Sequence, residues 1–240
     1  MYRFFSTPAL AAVMMAMALA GCGAARNGYS DYTAISTNQA RPENERALDA
    51  IRKPDQVMAF YGVKEGDKVA DLFAARGYYT AILSQLVGSN GVVYSVNPAP
   101  RQELHDRVKQ ANLSNVRVID GPLDKMALPQ FLLDFVLIHL DYHEVAPDIR
   151  NPMNKRVFAA LKRGGSYGVV DHSAAPGRGD QDIKTLHRIE KSFVIKDVTS
   201  AGFKLDSEGT MLSRADDSRD FSVTQVRDRS DRFVLKFIKP

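Results

Sequence analysis

From Ala47 onward, short apolar runs alternate with amphipathic segments. Lys68–Phe73, Val92–Val96, Val116–Ile119, Phe135–Leu140, Ser166–Val170, Phe203–Asp206 and Arg232–Ile238 have the length and branched or aromatic content of strands. Between them, Tyr78–Val87, Arg101–Ala111, Pro152–Leu161 and Asp182–Ala201 read as helices, the last two stopped by Gly164-Gly165 and Gly202. Ala47–Tyr61 reads as two short helices divided by Pro54. Strand-helix alternation at this spacing predicts an α/β fold with a doubly wound, seven-stranded, mostly parallel sheet. The last two strands have no helical crossover between them, which makes the final strand antiparallel.

The front of the chain follows another pattern. Arg3 precedes an uncharged Ala- and Met-rich run from Pro8 to Ala20. That run is shorter than the roughly 20 residues a spanning helix needs and has the length of a signal-peptide core. Leu19-Ala20-Gly21-Cys22 resembles a bacterial lipobox, and Cys22 is the chain's single cysteine. A lone cysteine in an exported protein has no internal disulfide partner, and acylation accounts for it. The expected organisation is a lipoprotein signal over 1–21, a lipidated Cys22 and polar tether over 22–46, and one domain over 47–240. Gly23 after the cysteine, rather than an acid, favours the outer membrane, with the domain facing the periplasm. The net charge of +4 is not gathered into a basic patch interleaved with aromatics, so nucleic acid is not an expected partner.

In an open α/β sheet, ligands bind beyond the carboxyl ends of the strands. The first end is Asp71-Leu72-Phe73-Ala74-Ala75-Arg76-Gly77, a strand-to-helix turn with one glycine, small residues at Ala74 and Ala75, and Arg76 turned to solvent or to a ligand carboxylate. The second carries Asn97, a neutral amide that binds a diol less strongly than a carboxylate does. Asp120 closes the third strand. The fourth reads His139-Leu140-Asp141-Tyr142-His143-Glu144, and the fifth Asp171-His172. His139, His143 or His172 could serve as a general base, since a free imidazole titrates near working pH. The other readings of this cluster are a divalent metal on His139, Asp141 and Asp171, and a purely structural polar network. His187 and Arg188 are expected on a solvated helix face, and the Arg- and Asp-rich stretch 214–231 as a self-paired loop.

Several of these segments together resemble bacterial predicted methyltransferases of the class I S-adenosylmethionine-dependent type. They are Asp71-Leu72-Phe73-Ala74 with Gly77-Tyr78-Tyr79-Thr80, Val93-Tyr94-Ser95-Val96-Asn97-Pro98, Tyr142-His143, Val170-Asp171-His172-Ser173-Ala174, Leu186-His187-Arg188-Ile189 and Asp231-Arg232-Phe233-Val234. The resemblance implies S-adenosylmethionine as cofactor, held by Asp71, Ala74, Gly77, Asn97 and Asp120. It leaves His143, His172 and Asp171 as catalytic candidates toward a small or lipid-like acceptor. Ala75-Arg76 and Asn97 depart from the glycine-rich turn and the ribose-binding acid usual in that group. Those departures, together with an exported location away from cytosolic cofactor, sustain two alternatives. One is a non-catalytic, envelope-anchored binding module. The other is a metal-assisted enzyme built on the strand-end His and Asp groups.

Overall fold

A computed structural model describes residues 1–2, 31–226 and 228–240. The signal segment, Cys22 and the first part of the expected tether lie outside the described residues. The order of elements is α1 (Thr33–Thr37), α2 (Glu43–Arg46), α3 (Asp49–Arg52), α4 (Pro54–Tyr61), β1 (Lys68–Leu72), α5 (Tyr78–Val87), β2 (Val92–Asn97), α6 (Gln102–Gln110), β3 (Val116–Asp120), β4 (Leu133–His139), α7 (Pro147–Ala160), β5 (Leu161–His172), α8 (Lys191–Ser200), β6 (Lys204–Gly209) and β7 (Arg232–Ile238).

The strands form one seven-stranded sheet in the order β3-β2-β1-β4-β5-β7-β6. Pairings among β1 to β5 are parallel, while β7 runs antiparallel to both β5 and β6. Strand order reverses beside β1, which opens a crevice at the carboxyl ends of β1 and β4. Alternation along each strand feeds two apolar layers. Val69, Phe135 and Leu137 face α4 and α5, whereas Ala70, Val136 and Ile138 pack in the layer with Met153 of α7 and Val194 of α8. At Gly168 a Cβ would come within 2.6 Å of the Tyr61 ring, so the closeness of α4 to β5 requires glycine there.

Three expectations differ from the structure, the smallest being that Gly164-Gly165, read as a helix stop, lie inside β5 because α7 already ends at Ala160. Residues 31–46, read as tether, carry α1 and α2 and are folded onto the domain. Ile35 is fully buried, and Arg41 forks onto Asp49 at 2.6 and 2.9 Å. Tyr32 donates to the Val63 carbonyl at 2.7 Å, and Glu45 pairs with Arg107 of α6. Helices of four and five residues leave too short an apolar repeat to be legible as pattern. The third difference is the long helix expected over 182–201. Only Lys191–Ser200 is helical, and the preceding segment is irregular, with Ile189 bridged to Ser173 beyond β5.

No helix among the described residues is long and apolar enough to cross a membrane.

Candidate active site

A cleft of about 710 Å³ lies across the carboxyl ends of β1, β4 and β5. Its β1 side is the turn after Leu72. Phe73 (φ 54) and Ala75 (φ 50) both take the left-handed conformation, as does Gly77 (φ 85). The turn therefore keeps a glycine-type backbone path with two residues for which it costs about 1–2 kcal/mol each. What holds it is Asn97. The Ala75 amide donates to Asn97 Oδ1 at 2.8 Å, and Asn97 Nδ2 donates back to the Ala75 carbonyl at 3.2 Å. Asn97 is 1% exposed. This amide braces the turn, and Asn97 also lines a smaller cavity of about 290 Å³ together with Phe73, Ala75 and Asp141.

Gly77 also has a different role from the one expected. A Cβ there would meet Leu104 Cδ1 at 2.8 Å, so its bareness admits α6, and it does not line the cleft. Asp120 likewise does not line it, and accepts a 2.6 Å hydrogen bond from His105. Arg76 is exposed and reaches toward Glu103. Asp71 and Ala74 do line the cleft. Thr80 donates to Asp71 at 2.7 Å, yet burial raises the Asp71 carboxyl to about 7.

Across the cleft, Asp171 is fully buried and collects three donors. These are the amides of His143 and His172, both at 2.7 Å, and His143 Nδ1 at 2.8 Å. Burial opposes ionisation of Asp171, but the His143 ring and these donors hold it below the usual carboxylate range. Burial also opposes charge on His143, but Asp171 prevails and lifts the ring to about 9. With Nδ1 engaged by Asp171, Nε2 faces Glu144 Oε1 at 3.2 Å.

His172 is held differently. Its Nδ1 meets Ser230 Oγ at 2.8 Å, and burial, reinforced by Arg232, drives it down to about 3. His139 is also kept neutral by burial. Its ring packs on Tyr79 with centroids 4.4 Å apart, and among the described residues neither His139 Nε2 nor the Tyr79 hydroxyl has a hydrogen-bond partner. Asp141 is lifted to about 7 by burial and then by Asp171.

Of the expected catalytic residues, His143 and His172 meet in the cleft with ring centroids 6.0 Å apart, and Asp171 stands behind them. The metal set His139, Asp141 and Asp171 is not brought together: Asp171 is buried and already accepts from three donors, and among the described residues these three do not form a ligand group. The group that does come together is His143, Glu144 and His187, whose ligand atoms all lie within 4.8 Å of one another. His187 lines the cleft because the segment 182–190 is not helical, and Arg188 is fully buried on Asp217 at 2.8 Å. Arg52, Tyr79 and Arg232 also line the cleft and were not singled out as site residues from sequence. Only the nearness of Tyr79 to the β1 turn could have suggested them.

The fold is the Rossmann-like fold of S-adenosylmethionine-dependent methyltransferases. A crystal structure of a SAM-dependent methyltransferase from Aquifex aeolicus superposes with a TM-score of 0.64 at 18% identity, covering 88% of this chain and 99% of that one. Among curated proteins, a protein-L-isoaspartate O-methyltransferase of Methanococcus aeolicus is 26% identical over 66% of this chain and 68% of its own length. A demethylmenaquinone methyltransferase of a Geobacillus strain is 27% identical over 50% of this chain and 51% of its own. No protein-family model matches the chain.

Proposed function

We propose that the protein is an S-adenosylmethionine-dependent methyltransferase acting on a small or lipid-like acceptor. The carrying observation is the placement of the Phe73–Ala75 turn and the Asp171–His143 pair on opposite sides of one cleft. The residues fit such a cofactor. The volume is in the ~300–1,000 Å³ range of ligand pockets, and Tyr79 and His139 bring unpartnered buried polar atoms to its lining. Asp71, Ala74 and Ala75 would hold the cofactor, with Arg52 as charge complement to its carboxylate. When bound, it supplies an electrophilic methyl group. The chain's own part is to orient the acceptor and take its proton at His143 Nε2, whose tautomer Asp171 fixes. His172, neutral at working pH, serves the acceptor as a hydrogen-bond partner. The names of the curated relatives divide between a protein isoaspartate and demethylmenaquinone, and the second supports a lipid-like acceptor.

Methylation assays with radiolabelled S-adenosylmethionine against quinol, phenol and isoaspartyl-peptide panels test this reading. Turnover that His143→Ala abolishes is the expected result. Absence of turnover with every acceptor, combined with absence of cofactor binding, overturns it. One observation favours a second reading, an envelope-anchored binding module without catalysis: a neutral Asn97, bonded through both Oδ1 and Nδ2 to Ala75, stands where the usual ribose-binding acid would. Binding of the cofactor without turnover under any condition would favour this second reading.

For location, we propose lipidation at Cys22 and a periplasm-facing domain. Release of a Cys22→Ser form from membranes is expected, and its retention there would contradict the anchor.

A further inference from the structure

We infer that His143, Glu144 and His187 form a site for a borderline divalent cation of the zinc type at the acceptor side of the cleft. Metal binding there does not depend on whether the cleft takes S-adenosylmethionine, but it engages His143 Nε2, so an ion-loaded His143 is an alternative to His143 as the base and not an addition to it. His187 Nδ1 stands 2.9 Å from Glu144 Oε1, and His143 Nε2 stands 3.2 Å from the same oxygen. In a tetrahedral site with bonds of about 2.0–2.1 Å, neighbouring ligand atoms lie roughly 3.3 Å apart. Both nitrogens therefore already stand near ligand spacing from the Glu144 oxygen, and all three atoms lie within 4.8 Å of one another. Two imidazoles and one carboxylate form a donor set used by open zinc sites, which keep a further position for water or substrate. All three residues line the cleft, so an acceptor's oxygen can reach that position.

Two further observations support a built site. Asp171 accepts from His143 Nδ1 and so directs Nε2 toward Glu144, the carboxylate-histidine arrangement that orients metal-bound imidazoles, with the ion displacing the Nε2 proton. His187 holds a left-handed backbone (φ 54), a conformation costly for a residue with a side chain. Its ring stands 5.6 Å from the His143 ring. A helix through 182–190, as the sequence pattern suggested, would not produce this turn.

The test uses the full chain without an affinity tag, titrated with zinc chloride against a chromogenic chelator and with cobalt chloride by absorption. One ion per chain and an intense cobalt band of low coordination number are expected, with magnesium unable to compete. His187→Ala and Glu144→Ala, both at the partly exposed rim, should each weaken zinc binding by at least about tenfold, and Asp171→Asn by about 10–100-fold. Cys22→Ser and His105→Ala should leave it unchanged. Failure of the native chain to retain zinc at micromolar concentration overturns the inference. So does zinc that survives His187→Ala and Glu144→Ala, or that is lost with Cys22→Ser. Circular dichroism of each variant identifies any loss of binding caused by unfolding, and Glu144→Gln then replaces a variant that does not fold.

Discussion

The two sides of the cleft use polar groups in opposite ways. On the β1 side they are directed inward. Asn97 is bonded to Ala75, Asp71 takes the Thr80 hydroxyl, Thr80 meets Ser95 at 2.7 Å, and Asp120 takes His105. These groups shape a turn and leave backbone and small side chains to meet a ligand. On the β4–β5 side, buried Asp171 orients one ring, and His143, Glu144 and His187 keep edges toward the cavity. The lesson is that missing glycines do not by themselves disable the turn. Its left-handed path persists at Phe73 and Ala75 because the Asn97 clamp holds it.

The largest effect should come from breaking the acceptor side. Asp171→Ala leaves two buried amides and a charged ring without their acceptor, and stability should fall by about 3–5 kcal/mol in chemical denaturation. Asp171→Asn is the milder probe and should remove turnover while cofactor affinity stays within a factor of about two. Equal loss of both would erase the distinction between the sides.

The next effect is pH dependence. His143 has a folded value of about 9, above the free imidazole. Its contribution to stability is fully present below about pH 6.5 and lost as pH rises through about 9. The carboxyls of Asp71 and Asp141, raised to about 7, contribute stability that is present below about pH 4 and lost as pH rises through 7. Denaturation midpoints should therefore fall between pH 6 and 9, and Asp71→Asn should flatten the lower part of that fall. Turnover should move the other way, rising with pH toward 9 as His143 loses its proton.

On the β1 side, Asn97→Ala removes both bonds to Ala75 and should cost about 1–3 kcal/mol of stability. It should weaken cofactor binding without altering the pH profile of turnover. Asn97→Asp separates the two roles of this position. A carboxylate accepts from the Ala75 amide but cannot donate to its carbonyl, so the turn should loosen even where a diol contact is gained. Smallest is Ala75→Gly, which relieves the left-handed residue at the expense of a more flexible unfolded chain. A gain of up to about 1 kcal/mol is expected in thermal melts.

The sheet was legible because most strands are short apolar runs bounded by turn residues, β6 with its polar Lys204–Gly209 being the exception, and the antiparallel close followed from the missing crossover before β7. The catalytic candidates were legible as identities at strand ends. Asp171 and His143 met as expected, since β4 and β5 are neighbours. What sequence could not convey was partnership at a distance. Asn97 reads as a weak substitute for an acid until its partner, 22 residues earlier, is known. The segment 182–190 has apolar residues at Ile183, Leu186 and Ile189, a helical spacing. Its backbone instead follows a bridge to Ser173 and the Arg188–Asp217 pair, and these are choices of tertiary structure. Residues 31–46 were read as tether because Ile35 and Arg41 are single anchors without periodicity.

The central claim is that the clamped turn still serves a cofactor cleft. Calorimetric titration of the protein with S-adenosylmethionine, and separately with its demethylated product, addresses it most directly. The account predicts one site per chain with micromolar affinity for both ligands, weakened by Asn97→Ala and left within a factor of about two by Asp171→Asn. Absence of heat up to millimolar ligand, with the protein folded, would contradict it.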